Sequence, residues 1–135
     1  MRPMPKRKQK GVSLIEAVIG LVVIIPIGLA ALDMYAFMVA AQQNEELSET
    51  AARVAATKGS QSTAEAAISE ILDRVQTSAI VKSVVADQVK YDPVVGKVTV
   101  TFSMTVHLPV PFPNYENLNC QATSIEPIVS QPAPL

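Results

Sequence analysis

From Val12 to Leu32 the chain runs for 21 residues with a single charged side chain, Glu16. No other feature constrains the fold as strongly. A helix of that length is about 31 Å long, close to the roughly 30 Å hydrocarbon thickness of a bilayer. Backbone inside lipid must satisfy its own hydrogen bonds, so a helix is the form such a run takes there. Pro26 and Gly28 lie within it, and membrane helices tolerate both better than soluble ones. Two other readings compete. A cleaved secretory signal has an apolar core of about 7–15 residues and then a small-x-small site, whereas this run is longer and leads into more helix-forming sequence without a break. A buried core helix needs surroundings, and a 135-residue chain with 4% aromatics and no Trp has little to surround it with. The run is therefore read as a membrane span.

Charge sets the expected orientation. Five of the eleven basic residues (Arg2, Lys6, Arg7, Lys8, Lys10) lie in the first ten positions, with no acid among them. The positive-inside rule keeps that tip in the cytoplasm and puts Asp33, Glu45, Glu46 and Glu49 outside. The net charge of −1 offers no electrostatic footprint for nucleic acid. One cysteine, Cys120, and one histidine, His107, exclude a disulfide framework and a conventional Cys/His zinc site.

Helical sequence continues past the span. Residues 33–58 contain no Gly or Pro and are rich in Ala, Glu, Gln and Met. Glu49 and Arg53 stand four apart in the favourable order. Leu47, Ala51 and Val54 form a narrow apolar stripe bordered by Ala55, and Lys58-Gly59 marks the stop. A second helix is predicted from a capping box, Ser62 with Glu65. Ile68, Ile71, Leu72, Val75 and Ala79 recur at helical spacing over about 16–18 residues. Glu65, Glu70, Asp73 and Arg74 fall off that face.

The period then changes to two. Val98, Val100, Phe102, Met104, Val106 and Leu108 alternate with Thr99, Thr101, Ser103, Thr105 and His107, which predicts a strand with one dry face. A weaker strand covers 84–91, and Asp92-Pro93-Val94-Val95-Gly96 is the turn of an antiparallel hairpin. Pro109, Pro111 and Pro113 are expected to end the strand. Residues 120–128 read as a short third strand, and 130–135 as a flexible tail. Two strands alone are marginal in water, so the hairpin should pack on the helices or on neighbouring subunits.

The segment Gly11-Val12-Ser13-Leu14-Ile15-Glu16 carries the most functional information. An acid at the membrane edge of an apolar helix costs energy unless satisfied. The helix macrodipole can satisfy it locally, or a partner cation can do so in low dielectric. A short basic leader, Gly, four residues, Glu and an apolar helix resemble the class III signal of type IV pilins and pseudopilins. The resemblance implies that a prepilin peptidase cuts after Gly11, that Val12 becomes the N-terminus, and that Glu16 docks the subunit into a helical filament. Within that superfamily the chain is most similar to TadE-like minor pseudopilins of tight-adherence (Flp) pilus systems. That similarity rests on Asp33-Met34-Tyr35, the Ala-Ala-Arg-Val-Ala-Ala run at 51–56, and the helix and Thr/Val-rich hairpin beyond. Departures stand beside it. TadE-like proteins usually have an aromatic after the glutamate and an earlier proline, where this chain has Ala17 and Pro26. Main pilins usually start on Phe or Met and carry a C-terminal cysteine pair, where this chain has Val12 and the single Cys120.

Plainer readings exist for each residue. Gly11 can simply separate the basic tip from the helix, Glu16 can be a first-turn acid, Asp33 an interfacial anchor and His107 a surface residue. Cys120 reads by default as a buried thiol, with an intermolecular bridge as the alternative outside the cytoplasm. With no Gly-rich phosphate loop, nucleophile elbow or metal-ligand cluster, the chain is not expected to be an enzyme or to carry a cofactor.

The expected fold is α+β. It divides into a basic leader (1–11), a transmembrane and extended helix (12–58), a periplasmic head of one amphipathic helix and a small antiparallel sheet (59–129), and the tail. The expected location is the bacterial inner membrane, single-pass and N-terminus inside, with incorporation into a pilus possible. The resemblance implies as partners the bilayer, a prepilin peptidase, other pilin or pseudopilin subunits and assembly-platform proteins. The expected function is a structural or assembly subunit of a type IV-like (Tad/Flp) pilus or secretion filament. The alternative is an uncleaved signal-anchor protein whose head binds another envelope protein.

Overall fold

The computed structural model describes residues 10–112 and 115–129, so most of the leader and the tail lie outside the described residues. Helix α1, Lys10–Ala56, has 47 residues and is about 70 Å long. Its two halves have different surroundings. Between 13 and 32 the large apolar side chains, among them Leu14, Ile15, Val18, Leu21, Ile24, Ile27 and Leu32, stand exposed. The most apolar 18-residue window has mean hydropathy 2.6 and none of it is buried within the molecule. This helix is long and apolar enough to cross a membrane, and it runs on unbroken through Pro26. From residue 33 onward Asp33, Ala36, Ala40, Asn44, Ser48, Ala51, Ala52, Ala55 and Ala56 are buried. Their steps of mostly three and four place them along one helix face. The helix winds down through Thr57 N–H to Val54 O (3.2 Å) and Lys58 N–H to Ala55 O (3.0 Å) before Gly59, so the stop expected at Lys58-Gly59 is observed.

The sheet is three-stranded and antiparallel in the order β1 (Val81–Asp92), β2 (Lys97–Phe112), β3 (Tyr115–Pro127). All six apolar residues of the β2 alternation are buried, as the period-two pattern requires. In the β1–β2 turn the Asp92 carboxylate accepts from Val95 N–H at 3.1 Å, and Asp92 O accepts from Gly96 N–H at 2.9 Å. Gly96 has φ +73°, the left-handed region that a Cβ disfavours. The third strand is longer than the expected 120–128. Pro109 and Pro111 do not end β2, which continues to Phe112. Pairing of β1 with β2 stops at Val81↔Val106, so beyond that point β2 has no β1 neighbour to receive the missing donors. Pro113 lies outside the described residues.

Helix α2, Gln61–Asp73, has 13 residues and is shorter than expected. Its cap is Ser60, with extended backbone and a hydroxyl that accepts from Thr63 N–H at 3.4 Å. The Ser62/Glu65 box is therefore not the start, and Glu65 instead accepts from the Gln61 side chain. Val75 and Ala79 fall beyond the helix because Ser78 already turns the chain into β1. Its hydroxyl accepts from Ile80 N–H (3.2 Å) and Val81 N–H (2.9 Å). Gln61 also fastens α2 to the edge strand: its amide donates to Val89 O at 2.7 Å and accepts from Tyr91 N–H at 2.6 Å.

Both helices cover the same sheet face. Ala51, Ala52, Ala55 and Ala56 of α1 and Ala64 and Ile68 of α2 pack on Val98, Val100 and Phe102. A second group, Ala40, Val81, Met104, Val106 and Cys120, continues the core toward the bare half of α1. The stripe differs from the one expected in that Val54 is only half-buried while Ala52 and Ala56 are fully inside. Small side chains let the helix axis approach the sheet, and the larger β2 residues fill the remaining volume.

Candidate functional site

The residues singled out from sequence lie at the far end of α1. Gly11 and Val12 are within the helix, which begins at Lys10. Glu16 stands exposed on the bare half, six residues after the helix start and beyond its first turn, which contains no acid. The macrodipole acts over the first turn, so it gives Glu16 little support in the uncut chain. No ion pair among the described residues involves Glu16.

A second group lies where the bare helix meets the head. Asp33 is 6% exposed, and its Oδ1 accepts from Val110 N–H at 2.9 Å. Its Oδ2 is buried without a hydrogen-bond partner among the described residues. Asp33 also lines a groove of about 320 Å³ with Ala30, Met34, Phe37, Leu108 and Leu118. Asp33 is thus a buried tether between α1 and the end of β2, where the sequence suggested an interfacial anchor.

Above it, polar side chains of α1 reach the sheet backbone. Asn44 is fully buried, and its Nδ2 donates to Phe102 O (3.3 Å) and Cys120 O (3.1 Å). Ser48 Oγ donates to Val100 O at 3.3 Å. One helix therefore fixes β2 and β3 together. Sequence reasoning did not single out Asn44 or Ser48. Their signal was the spacing, since both continue the stripe of Asp33, Ala36 and Ala40.

The outer face of the sheet carries a polar ladder. Thr101 and Thr123 hydroxyls lie 3.0 Å apart, Thr105 donates to Asn119 at 3.0 Å, and His107 Nδ1 is 3.2 Å from Asn117 Oδ1. Asp87 accepts from Gln121 at 3.1 Å and from the Ser103 hydroxyl. His107 thus takes part in a cross-strand pair. A polar cleft of about 470 Å³ lies between α1 and β3, lined by Glu45, Ser48, Glu49 and residues 121–126. Arg53 bridges Glu49 and Glu126 there, the latter at 3.5 Å.

Cys120 is buried, and its thiol donates weakly to Met104 O at 3.7 Å. Burial pushes its pKa above the ordinary value, which suits an unreactive thiol packed in the core. Among the described residues no group of three His, Cys, Asp or Glu side chains is placed to hold a metal ion. Comparison with protein-family models, curated proteins and solved structures finds no match to this chain.

Proposed function

We propose that this chain is a structural subunit, a minor pilin or pseudopilin, of a type IV-like (Tad/Flp) pilus or secretion filament. In this reading it inserts with its N-terminus in the cytoplasm and is processed after Gly11 by a prepilin peptidase. The observation that supports it most is the division of α1. One half is locked into a folded head, while the other is bare, apolar and carries a lone acid, Glu16, with no ion pair among the described residues. A helix that leaves lipid in that state must be covered by other apolar helices, which is what a filament core supplies.

The bare half also has small residues that its own fold does not require. A Cβ added at Gly20 or Gly28 would meet nothing within 4 Å. Together with Ser13, Ala30 and Ala31 they permit close approach of neighbouring helices. Cleavage after Gly11 would place a new α-amino group on Val12, a cation for Glu16 of the adjacent subunit in low dielectric. The head, held to the upper half of α1 by Asp33, Asn44 and Ser48, would then ride on the filament surface.

The test is the intact mass of the protein recovered from membranes. The mature chain should begin at Val12, and Gly11→Ala should accumulate uncut. Glu16→Gln should still insert and be cut but should fail to enter filaments. An intact leader on the wild-type chain, unchanged by Gly11→Ala, would refute processing and favour the signal-anchor alternative.

A further inference from the structure

We propose that the free edge of β3 receives an added strand, an extended basic segment of another protein. The inference goes beyond the filament reading and does not depend on how residues 13–32 are covered. Backbone groups in an antiparallel ladder alternate sides. Val89 and Tyr91 turn theirs outward to the Gln61 side chain, at 2.7 and 2.6 Å, so Val100 and Val98 opposite them turn theirs toward β3. The β2–β3 register pairs Val100 with Ser124 and Val98 with Glu126. It therefore leaves the N–H and C=O of Asn117, Asn119, Gln121, Thr123 and Ile125 on the open side of the sheet. Val129 follows the same alternation, and its outward N–H reaches Ala56 O at 3.1 Å. Among the described residues nothing bonds to the outward backbone groups from Asn117 to Ile125, and the residues that carry them are exposed.

The two edges of the sheet differ in their protection. Strand β1 shifts register between Val81 and Ser83 and again between Ala86 and Gln88, and Gln61 occupies its edge at Val89 and Tyr91. Bulges and covering groups are how sheets guard an edge. Strand β3 has 13 residues, against a usual length of about 5–6. It has no Lys, no Pro before Pro127, and no register shift from Asn117 to Pro127. Such an edge is a template for strand addition. Charge decides the occupant. An added strand sends every second side chain over the cleft of about 470 Å³ between α1 and β3. Glu45, Glu49 and Glu126 line that cleft. Arg53 bridges the last two, and Glu45 has no ion pair among the described residues. Lys or Arg at alternate positions of the guest would meet this surplus of negative charge. A second copy of β3 would instead bring Glu116 and Glu126 and no cation. Strand β1 of a second copy carries Lys82 and Lys90, but its own edge is already taken.

The test uses the full-length chain in detergent micelles and a peptide alternating Lys and Val, about as long as the 117–125 edge. Amide exchange followed by NMR should show new protection at Asn117, Asn119, Gln121, Thr123 and Ile125. The intervening amides, already bonded to β2, should not change. By fluorescence anisotropy the peptide should bind about tenfold more tightly than its Glu/Val counterpart. N-methylation of all its Lys residues, or of all its Val residues, blocks one backbone edge or the other, so exactly one of the two methylated peptides should keep binding. Thr123→Pro removes an outward donor that β2 does not use and should abolish binding. Glu45→Lys, at an exposed helix position, should cut the preference for the basic peptide about fivefold, which decides the matter if Thr123→Pro disturbs folding. Equal binding of both methylated peptides, protection without the alternation, or a preference unchanged in Glu45→Lys overturns the proposal. So does protection of the same amides that rises with protein concentration in the absence of peptide, since a second copy would then occupy the edge. None of these readouts depends on cleavage after Gly11 or on filament formation, so the two readings fail separately.

Discussion

Replacing Asn44 by Asp changes one buried donor into an acceptor. Asn44 is fully buried, and its amide donates to Phe102 O and Cys120 O at 3.3 and 3.1 Å. Its own Oδ1 has no partner among the described residues. Asn44→Ala loses two neutral hydrogen bonds of about 1 kcal/mol each and leaves a small void, but it also removes the orphan acceptor, so its net cost is about 1–2 kcal/mol. Asn44→Asp is different, because a carboxylate there would face two carbonyl oxygens. Burial and those acceptors raise its folded-state pKa above the unfolded value of about 3.9. A fully buried acid shifts by up to about 3–5 units, and because the loss at pH 7 is limited to the roughly 3 units between the unfolded pKa and the solution pH, the variant is destabilised by roughly 4 kcal/mol at neutral pH. That is a large share of the roughly 5–15 kcal/mol that stabilises a small domain.

The sign of the pH dependence follows from the raised pKa. Below about pH 4 the carboxyl is protonated in both states, and its O–H can replace one lost donor. Stability then falls as pH rises through the unfolded value and levels off above the folded one. The assay is thermal unfolding of the full-length chain in detergent micelles, followed by circular dichroism of the strand signal. Each variant is referenced to wild type at the same pH. Asn44→Asp should be much less stable than Asn44→Ala at neutral pH and should recover toward it in acid. Equal unfolding temperatures at neutral pH, or no recovery in acid, would refute the assigned donor geometry.

Three further outcomes are expected in the same assay. Ser60→Ala should destabilise the head by about 1 kcal/mol while Ser62→Ala stays near wild type; the reverse order would return the cap to Ser62. Gly96→Ala should cost about 1–2 kcal/mol because its φ of +73° crowds a Cβ, and an unchanged melting temperature would contradict that turn. Cys120 should resist thiol reagents until the head unfolds. Because burial raises its pKa, the head should lose stability as pH climbs past the ordinary thiol value, where only the unfolded state ionises readily. Cys120→Ala should remove that alkaline loss, and its persistence would assign the effect to another group.

Much of the fold was readable one element at a time. Strand β2 announced itself through six alternating apolar residues, and its hairpin through Asp92 and Gly96. The third strand carried a weaker pattern and proved longer, because β2 offers a full edge to pair with. The end of β2 misled because a proline forbids pairing only where a neighbouring strand needs its donor, and β1 has already stopped at Val81. The start of α2 misled for a related reason. Ser60 and Ser62 both suit a cap, and the choice followed from Gln61 bonding to Val89 and Tyr91 on β1.

By itself the chain determined what is local: the apolar run at 12–32, the helical stretch after it, the strand period and the turn. Each follows from backbone preference or from the distribution of apolar side chains along a few turns. Which face of α1 is buried belonged to the tertiary structure. Between 33 and 56 that helix is mostly small and polar, with little contrast between its faces. Its buried face was chosen by where alanines allow close approach, and by where Asp33, Asn44 and Ser48 find the Val110 amide and the carbonyls of Phe102, Cys120 and Val100. Those partners exist only once the sheet has formed.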